Sequence, residues 1–332
     1  MSAHVLLLLA VAEGGVGRHV QELEVRLRDR GFRVTVGCPA TTQQAFSFTS
    51  HVDVPYGLSP AAVVRAVRAV RGVRADLVHA HGLRAGALSG LAVRRPVITW
   101  HNAQLDRSLQ GDLLERFVAR RAAVTLAASD DLAERARALG AVDVEVVHVG
   151  SPVRAATGVD PGLGHPLVLC VGRLAPQKGY ELLVAALAHL GDAVVAVAGE
   201  GPLRPALEAA APQVHWLGSR DDVPDLLAAA DVVVLPSRWE ARSLTAQEAM
   251  LAGRPLVATA VGGLPGLVQD GAVLVPPDDA RALGLAVRAL LDDPARAARL
   301  GERARQVAAT WPTAENSEAQ LLEAYARAGL AR

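Results

Sequence analysis

Short runs of valine, leucine and alanine alternate with longer amphipathic stretches along most of the chain. Runs that are apolar on both faces and separated by helices are typical of parallel strands covered on both sides. Two series of such runs follow one another. The first comprises 5–11, 34–38, 77–79, 97–100, 124–127 and 144–147, and the second comprises 167–171, 193–198, 214–217, 232–235, 256–259 and 272–275. The pattern predicts an α/β protein with two doubly wound parallel-sheet domains.

The division between the two series is marked by a stretch rich in glycine and proline, residues 150–166, which is typical of a linker. A length of 332 residues also exceeds what one hydrophobic core usually supports. We therefore expect domains at 1–152 and 153–310, followed by a C-terminal segment, 311–332, that carries an amphipathic helix. In such an arrangement the default ligand site is a cleft at the carboxyl ends of the strands.

Composition excludes some functions and constrains the location of the protein. The chain has 34 basic and 34 acidic residues, so it lacks the basic surface of a general nucleic-acid-binding protein. The apolar N-terminus has no basic flank and reads as a buried strand rather than a signal peptide. We expect a cytoplasmic protein, in which the two cysteines, Cys38 and Cys170, are buried, inert thiols.

The only lysine of the chain, Lys178, lies in the sequence GRLAPQKG at residues 172–179, whereas the other 33 basic residues are arginines. Lysine offers a compact point charge and arginine a planar fork, so the two are not interchangeable beside a phosphate. Arg173 ends a predicted strand and Lys178 opens the following helix. The two cations are therefore expected at the carboxyl edge of the sheet, where they could hold a diphosphate.

Two further segments carry candidate binding groups. Residues 13–19, EGGVGRH, place Gly14 and Gly15 between a strand and a helix, where backbone N–H groups suit an anion, although the dinucleotide fingerprint G-x-G-x-x-G is not matched. In the second half, Glu240 lies in a loop and Glu248 on the helix that begins near Ser243. Carboxylates accept hydrogen bonds from vicinal hydroxyls, so each glutamate could hold a different sugar ring.

These segments together resemble the family-4 retaining glycosyltransferases of the GT-B fold, in which two Rossmann-like domains face each other across a cleft. The resemblance rests on the order and spacing of short motifs along the whole chain. They are GGVG at 14–17, HAHG at 79–82, TWHN at 99–102, the 172–179 segment, GEGP at 199–202, LGSR at 217–220, the glutamates 240 and 248, and VGGLP at 261–265.

The resemblance implies a role for each candidate residue. Arg173 and Lys178 would grip the diphosphate of a nucleotide-sugar. The backbone of Gly15, Leu244 and Thr245 would also contact the diphosphate, and Gly14 and Ser243 lie in the same two turns. Glu248 would bind the ribose, and the backbone near Arg220 would contact the base. Glu240 and His101 would bind the transferred sugar. The acceptor, an unidentified hydroxyl compound, would bind mainly in the domain at 1–152 and the nucleotide-sugar mainly in that at 153–310. The helix in 311–332 would cross back onto the first domain.

The resemblance also implies a chemistry in which the anomeric configuration is retained by attack on the face from which the diphosphate leaves. The leaving group then needs electrostatic stabilisation more than a protein nucleophile. Two cationic side chains and helix dipoles would supply it, so no cofactor and no metal are expected. His79 and His81 are expected to point to opposite faces of their strand, which disfavours a shared metal.

Two departures from the family pattern leave alternatives open. Residues 241–243 are Ala-Arg-Ser where the family usually has Gly-Phe-Gly, and Gly266 replaces a frequent glutamate. Two alternative functions therefore stay open. The chain could be another GT-B enzyme, such as a nucleotide-sugar epimerase, or a non-catalytic nucleotide-sugar-binding subunit.

The first half of the chain carries an excess of basic charge, with 18 arginines against 14 acidic residues. Arg65, Arg68, Arg71 and Arg74 recur every three residues on a predicted helix. Such a surface is either a solvated arginine face or a contact surface for the anionic lipids at the inner face of a membrane. Peripheral membrane contact is therefore one of the two alternatives.

Overall fold

The computed structural model describes residues 2–12, 14–57, 59–102, 108–147 and 155–330. The chain forms two compact units, one made of Met1–Val149 together with Thr313–Arg332 and the other of Gly150–Pro312. The division expected between residues 152 and 153 falls in 148–154, outside the described residues.

The first unit contains a parallel sheet with the order β3-β2-β1-β4-β5-β6-β7 in the described residues. Its strands are β1 His4–Leu9, β2 Arg33–Cys38, β3 His51–Asp53, β4 Leu77–His81, β5 Val97–Trp100, β6 Val124–Ala127 and β7 Val144–Val146. Its helices are α1 Gly15–Asp29, α2 Ala40–Phe46, α3 Pro60–Gly72, α4 Leu83–Ala92, α5 Leu109–Arg121, α6 Asp130–Ala138 and α14 Ala314–Arg327.

The second unit repeats this plan, with the described strands in the parallel order β10-β9-β8-β11-β12-β13. The strands are β8 Leu167–Val171, β9 Val194–Ala198, β10 His215–Gly218, β11 Val232–Leu235, β12 Leu256–Thr259 and β13 Val273–Val275. The helices are α7 Tyr180–Ala186, α8 Arg204–Ala210, α9 Val223–Ala229, α10 Leu244–Leu251, α11 Leu264–Val268, α12 Ala280–Leu291 and α13 Pro294–Ala308, and a short 3₁₀ turn, Pro176–Lys178, precedes α7.

Burial explains why the central runs form strands. Every residue of β1 and of β11 is buried, and in the second unit two separate apolar clusters cover the two faces of the sheet. Removing apolar side chains from water on both faces is the main favourable contribution to such a sheet. The prediction of two doubly wound α/β domains is therefore confirmed.

Both cysteines lie in these cores, Cys38 on β2 and Cys170 on β8, and both are free and buried thiols as predicted. Burial raises the pKa of each thiol, that of Cys38 to about 12. A thiol that stays protonated is a poor nucleophile and a poor metal ligand.

The order of the strands in each sheet indicates where a ligand would bind. In each unit the chain runs outward in one direction from the first strand and then returns to the other side, so that the crevice lies beside the first strand, between β1 and β4 or between β8 and β11. Ligands of open parallel sheets bind at this switch point, outside the carboxyl ends of the strands. The loops that matter are therefore those that follow β1, β4, β8 and β11.

The C-terminal helix α14 contributes to the core of the first unit. Leu321, Ala324 and Tyr325 are buried in the cluster that also holds the side chains of β1. Thr313 begins the helix as an N-cap that forms a capping box with Asn316, which satisfies backbone N–H groups at the helix start.

The arginine-rich helix is shorter than the pattern predicted. Helix α3 ends at Gly72, and Arg74 lies beyond it with a φ of 51°, so the expected placement of Arg74 on this helix was wrong. Arg71 donates to the backbone carbonyl oxygens of Leu91 and Ala92 and thereby links α3 to α4. None of the helices in the described ranges combines the length and apolar character that a membrane span requires.

Candidate functional site

Two loops meet at the switch point of the second unit, the one that follows β8 and the one that follows β11. The Arg238 N–H donates to the Gln177 carbonyl over 2.8 Å, and the Gln177 side-chain amide donates to the Trp239 carbonyl over 3.0 Å. Gly179 lies so close to Pro236 that a Cβ atom would come within 2.2 Å of the Pro236 carbonyl oxygen. These contacts fix the position of Lys178 relative to Glu240.

Lys178 and Glu240 form an ion pair, with 2.6 Å between Nζ and Oε1. The same carboxylate oxygen accepts a hydrogen bond from the Ser237 hydroxyl over 2.7 Å. The Glu240 side chain is only 6% exposed and that of Lys178 is 26% exposed. The ammonium is therefore held at the mouth of the crevice by a buried carboxylate, with part of its surface still open to solvent.

The backbone of Glu240 is held from the other side by the VGGLP segment. The Gly263 N–H donates to the Glu240 carbonyl over 2.8 Å, and a Cβ at Gly262 would lie 2.1 Å from the same oxygen. Gly262 also has a φ of 51°, a conformation that glycine adopts without strain. Gly262 is thus required by the close approach of the Glu240 loop, and Gly263 contributes its backbone N–H.

Helix α10 begins at the same place. The Ser243 hydroxyl is its N-cap and accepts a hydrogen bond from the Ala246 N–H over 3.3 Å. Leu244 and Thr245 form the first turn, where backbone N–H groups have no partner within the helix and carry partial positive charge. The Thr245 hydroxyl donates to the Val171 carbonyl over 3.1 Å, so this helix N-terminus lies against the end of β8.

The GEGP segment supports the loop after β8. A Cβ at Gly199 would lie 1.9 Å from the Gly172 carbonyl oxygen, and one at Gly201 would lie 2.3 Å from the Leu174 carbonyl oxygen. The Leu174 N–H donates to the Glu200 carbonyl over 2.9 Å. The motif therefore packs two strand-end loops against each other, backbone to backbone.

The other predicted residues of the second unit lie around this crevice or at its edge. Arg173 is exposed directly after β8, and Glu248 is half-buried on α10. Glu248 also lines a cavity of about 290 Å³ between α9 and α10. Arg220 is exposed after β10, where its guanidinium is paired with the carboxylate of Asp222. The structure thus brings Lys178 and Glu240 into direct contact, and it places Arg220 in a separate surface pair.

The close approach of Gly179 to Pro236 leads to a testable prediction. We expect Gly179→Ala to destabilise the second unit by about 2–4 kcal/mol, because a Cβ would be strained at a φ of 63° and would overlap the Pro236 carbonyl. Gly31→Ala is the matched control, since Gly31 has a φ of 85° with nothing within 4 Å of the added atom, and it should cost about 1–2 kcal/mol. Urea unfolding measures both, and equal losses would contradict the packing described here.

In the first unit, the predicted residues lie at the corresponding switch point. Gly14 caps helix α1 with a φ of 83°, and it and Gly15 are exposed. His101 directly follows β5 and is buried, and its Nε2 lies 3.1 Å from Nδ1 of His81 at the end of β4. Burial, with smaller contributions from His19 and His79, holds the pKa of His101 well below its usual value. His101 is therefore neutral at physiological pH.

The expectation that His79 and His81 point to opposite faces was wrong. Their ring centroids are only 4.1 Å apart, because residues two apart on a strand share a face. His79 uses both ring nitrogens, one with the Tyr325 hydroxyl at 2.8 Å and the other with the Thr99 hydroxyl at 2.7 Å. It is a buried histidine with satisfied hydrogen bonds that joins α14 to the sheet.

Two contributors to the site were missed from the sequence. Ser237 donates to Glu240 three residues further on, and His19 contacts both His81 and His101 from α1. The signal for Ser237 was its position at the end of β11, directly before the loop. His19 had no such local signal, because its direction depends on how α1, Gly15–Asp29, packs against the sheet.

Two family models match the chain. Residues 13–153 match the model described as Glycosyltransferase Family 4, and residues 165–293 match the one described as Glycosyl transferases group 1. Each match corresponds to one of the two sheets, so the two halves of the chain are independently similar to the two halves of these enzymes.

Individual proteins agree with these matches. The D-inositol 3-phosphate glycosyltransferase of Xylanimonas cellulosilytica is 33% identical over 302 residues, which covers 76% of this chain and 72% of that protein. The alpha-D-kanosaminyltransferase of Streptomyces kanamyceticus is 36% identical over 179 residues, but this match spans only about half of this chain and 46% of the relative. Among solved structures, Anabaena Alr3699/HepE in complex with UDP and glucose aligns with a TM-score of 0.83 at 22% identity over 98% of this chain and 99% of that one.

Two doubly wound parallel-sheet units of this kind define the GT-B class of glycosyltransferases, to which the structural similarity assigns this fold. Within that class, the chain belongs to glycosyltransferase family 4.

Proposed function

We propose that this protein transfers a hexose-type sugar from a nucleotide-diphosphate sugar to a hydroxyl group of an acceptor, with retention of the anomeric configuration. The observation that carries the proposal is the Lys178–Glu240 pair at the switch point of the second unit. It places a cation suited to a diphosphate directly beside a carboxylate suited to sugar hydroxyls. HepE, whose structure contains UDP and glucose, supports the same ligand class.

The diphosphate is assigned to the positive groups around this crevice. Lys178 and Arg173 contribute charge, and the N–H groups of Leu244 and Thr245 contribute the positive end of a helix dipole. Ser243 holds the start of that helix in place. In the first unit, we assign the glycine turn at Gly14 and Gly15 to the same anion, because its exposed backbone offers further N–H donors at the start of α1.

The hydroxyl-bearing parts of the donor are assigned to carboxylates and histidine. Glu248 accepts from the ribose hydroxyls, Glu240 accepts from hydroxyls of the transferred sugar, and the backbone near Arg220 meets the base. His101, neutral and buried, is assigned a hydrogen bond to the transferred sugar. A neutral imidazole has one donor and one acceptor nitrogen, so it can serve a hydroxyl group in either direction.

The proposed step breaks the bond between the anomeric carbon and the diphosphate oxygen and forms a bond from that carbon to the acceptor oxygen. The acceptor proton passes to a departing diphosphate oxygen. Charge grows on the leaving group as the bond breaks, and donors already aimed at it lower the barrier by an electrostatic effect. We propose that Lys178, Arg173 and the α10 N-terminus perform this task without a resident cofactor or catalytic metal.

The arginines of α3 support a second, smaller proposal, that the first unit contacts anionic lipid at the inner face of a membrane. Arg65 and Arg68 are both exposed on this helix. If they serve this purpose, the double variant Arg65→Glu/Arg68→Glu should sediment less with vesicles that contain anionic lipid, at low salt, than the wild-type chain does. Equal sedimentation of the two proteins would contradict it.

A binding screen followed by product analysis tests the proposed function. Thermal-shift measurements with a panel of nucleotide-sugars should identify a donor that stabilises the protein, because a ligand that binds only the folded state raises the melting temperature. Incubation of that donor with candidate hydroxyl acceptors should then give a glycoside and a nucleoside diphosphate. A changed nucleotide-sugar formed without an acceptor would indicate an epimerase, and binding without any product would indicate a non-catalytic subunit.

A further inference from the structure

Three histidine side chains converge at the switch point of the first unit. His19 comes from the first turns of α1, His81 from the end of β4 and His101 from the residue after β5. The ring centroids are 5.6 Å apart for His19 and His81, 5.5 Å for His19 and His101, and 5.3 Å for His81 and His101. We refer to His19, His81 and His101 as the histidine triad.

The spacing of the triad matches that of three imidazoles around one metal ion. Nitrogen ligands lie about 2.0–2.1 Å from zinc, so at tetrahedral angles two ligand nitrogens are about 3.3 Å apart and two ring centroids about 5.2 Å apart. In the structure the ring centroids are 5.3–5.6 Å apart, and one nitrogen from each of the three rings can be chosen so that all lie within 4.8 Å of one another. Nδ1 of His81 and Nε2 of His101 are 3.1 Å apart, which is a hydrogen-bond distance.

The bonding capacity of the triad is not used up by the protein. Nε2 of His81 is buried and has no hydrogen-bond partner among the described residues. A buried polar atom without a partner costs free energy, which an ion bound through Nε2 of His81, and not through the Nδ1 that faces His101, would recover. The neighbouring His79 differs in this respect, because both of its ring nitrogens are already bonded.

The donor set of the triad consists of three imidazole nitrogens, which limits the metals that it suits. Imidazole ligands suit zinc, copper, nickel and cobalt, whereas magnesium and calcium prefer oxygen ligands.

We propose that His19, His81 and His101 form a binding site for one first-row transition-metal ion, with a fourth coordination position open to water or another ligand. The site lies in the first unit, and the ion is not a participant in the transfer step proposed above. Where His101 serves the transferred sugar, as the proposed function has it, a bound ion takes that imidazole away and inhibits transfer.

Cobalt titration tests the site without any substrate. The full chain, free of affinity tags and dialysed against a chelator, is titrated with Co²⁺ while the visible absorption of tetrahedral cobalt is recorded. We expect saturation at one equivalent and loss of the absorption when Zn²⁺ is added, since zinc binds nitrogen sites more tightly than cobalt does. No saturable absorption in the wild-type chain, with no heat of Zn²⁺ binding by calorimetry, would overturn the proposal.

Matched variants locate the ion. His19→Gln should weaken Co²⁺ binding at least about 10- to 100-fold, a loss at least as large as that caused by removal of an outer partner of a metal ligand. His19 is only half-buried, so this variant should fold, and its melting temperature provides the check. His215→Gln changes an exposed histidine on β10 and should bind as the wild type does. Equal affinity in His19→Gln and the wild type would contradict the triad.

The inhibitory consequence is tested separately. With an active donor and acceptor pair, Zn²⁺ should reduce turnover of the wild-type chain reversibly, and a chelator should restore it, while His19→Gln should be less sensitive. Since the cobalt spectrum needs no substrate, failure of the transferase assignment would leave the metal result standing, and failure of metal binding would leave the transferase assignment standing.

Discussion

Lys178→Ala should bind a nucleoside diphosphate about 10- to 100-fold more weakly than the wild-type chain, a loss of about 1.5–3 kcal/mol that corresponds to one charge-assisted hydrogen bond. The Lys178 side chain is 26% exposed, and its ammonium is held in place by Glu240. An incoming diphosphate therefore meets a cation that is already positioned. Turnover should fall further, by about 10²–10³, because the charge on the leaving group grows in the transition state.

Titration calorimetry with nucleoside diphosphates measures the first effect, and Arg299→Ala is the control. That variant removes one positive charge from the exposed surface of α13 in the same unit and should bind normally. Lys178→Ala also removes the ion-pair partner of the buried Glu240 carboxylate, which keeps its hydrogen bond from the Ser237 hydroxyl, so we expect a lower melting temperature with the fold retained. Unchanged affinity in a folded Lys178→Ala protein would exclude the diphosphate role.

The Lys178→Arg variant tests whether the site requires a compact charge or only a positive one. A guanidinium is larger than an ammonium and planar, and the pocket between the Gly179 turn and the Glu240 loop is closed by backbone on one side. If a compact charge is what the site requires, the arginine variant should also lose affinity despite its equal charge. Wild-type affinity in this variant would show that charge alone is sufficient.

Glu240→Gln should separate sugar binding from nucleotide binding. The amide keeps the volume of the side chain and can still bond Ser237, but it loses the charge that strengthens hydrogen bonds to sugar hydroxyls. We expect affinity for the free nucleoside diphosphate to be kept, because Lys178 remains and is released from its ion pair. Affinity for the nucleotide-sugar should fall about 10- to 100-fold.

The comparison measures the affinity of two ligands for three proteins, the wild type, Glu240→Gln and a control variant. Glu302→Gln on α13 removes an exposed acidic charge of the same unit and should leave both affinities unchanged. Melting temperatures establish that each variant is folded. Equal losses for the nucleotide and the nucleotide-sugar in Glu240→Gln would refute the assignment of Glu240 to the sugar.

The sheets could be predicted from the sequence because central parallel strands are buried on both faces and appear as continuous apolar runs. Five strands, β5, β6, β8, β11 and β12, have the predicted bounds, and β3 was missed. It has only three residues, is partly exposed and lies at the edge of its sheet, so it has no apolar run to reveal it. Such a strand is fixed by its pairing with β2 and not by its own composition.

The contacts within the site were less predictable. Lys178 and Glu240 are 62 positions apart, and no local pattern reports that a lysine and a glutamate at that separation will pair. What the sequence did show was the surrounding glycines, and the structure explains Gly179, Gly199 and Gly262 by backbone atoms that approach too closely for a Cβ.

The histidines show a different limit. The sequence showed histidines near the ends of two neighbouring strands. The prediction that His79 and His81 point to opposite faces was wrong, because residues two apart on a strand share a face. The role of His19 depends on the direction in which α1 leaves the glycine turn. That direction is set by packing of the whole helix against the sheet, which the local sequence does not report.

The most direct test of glycosyl transfer with retention is an NMR analysis of the reaction with the nucleotide-sugar that stabilises the protein and an acceptor that it uses. We predict that one nucleoside diphosphate is released for each glycoside formed and that the new glycosidic bond has the anomeric configuration of the donor. Inverted configuration would contradict retention, and an altered nucleotide-sugar without release of a nucleoside diphosphate would contradict glycosyl transfer.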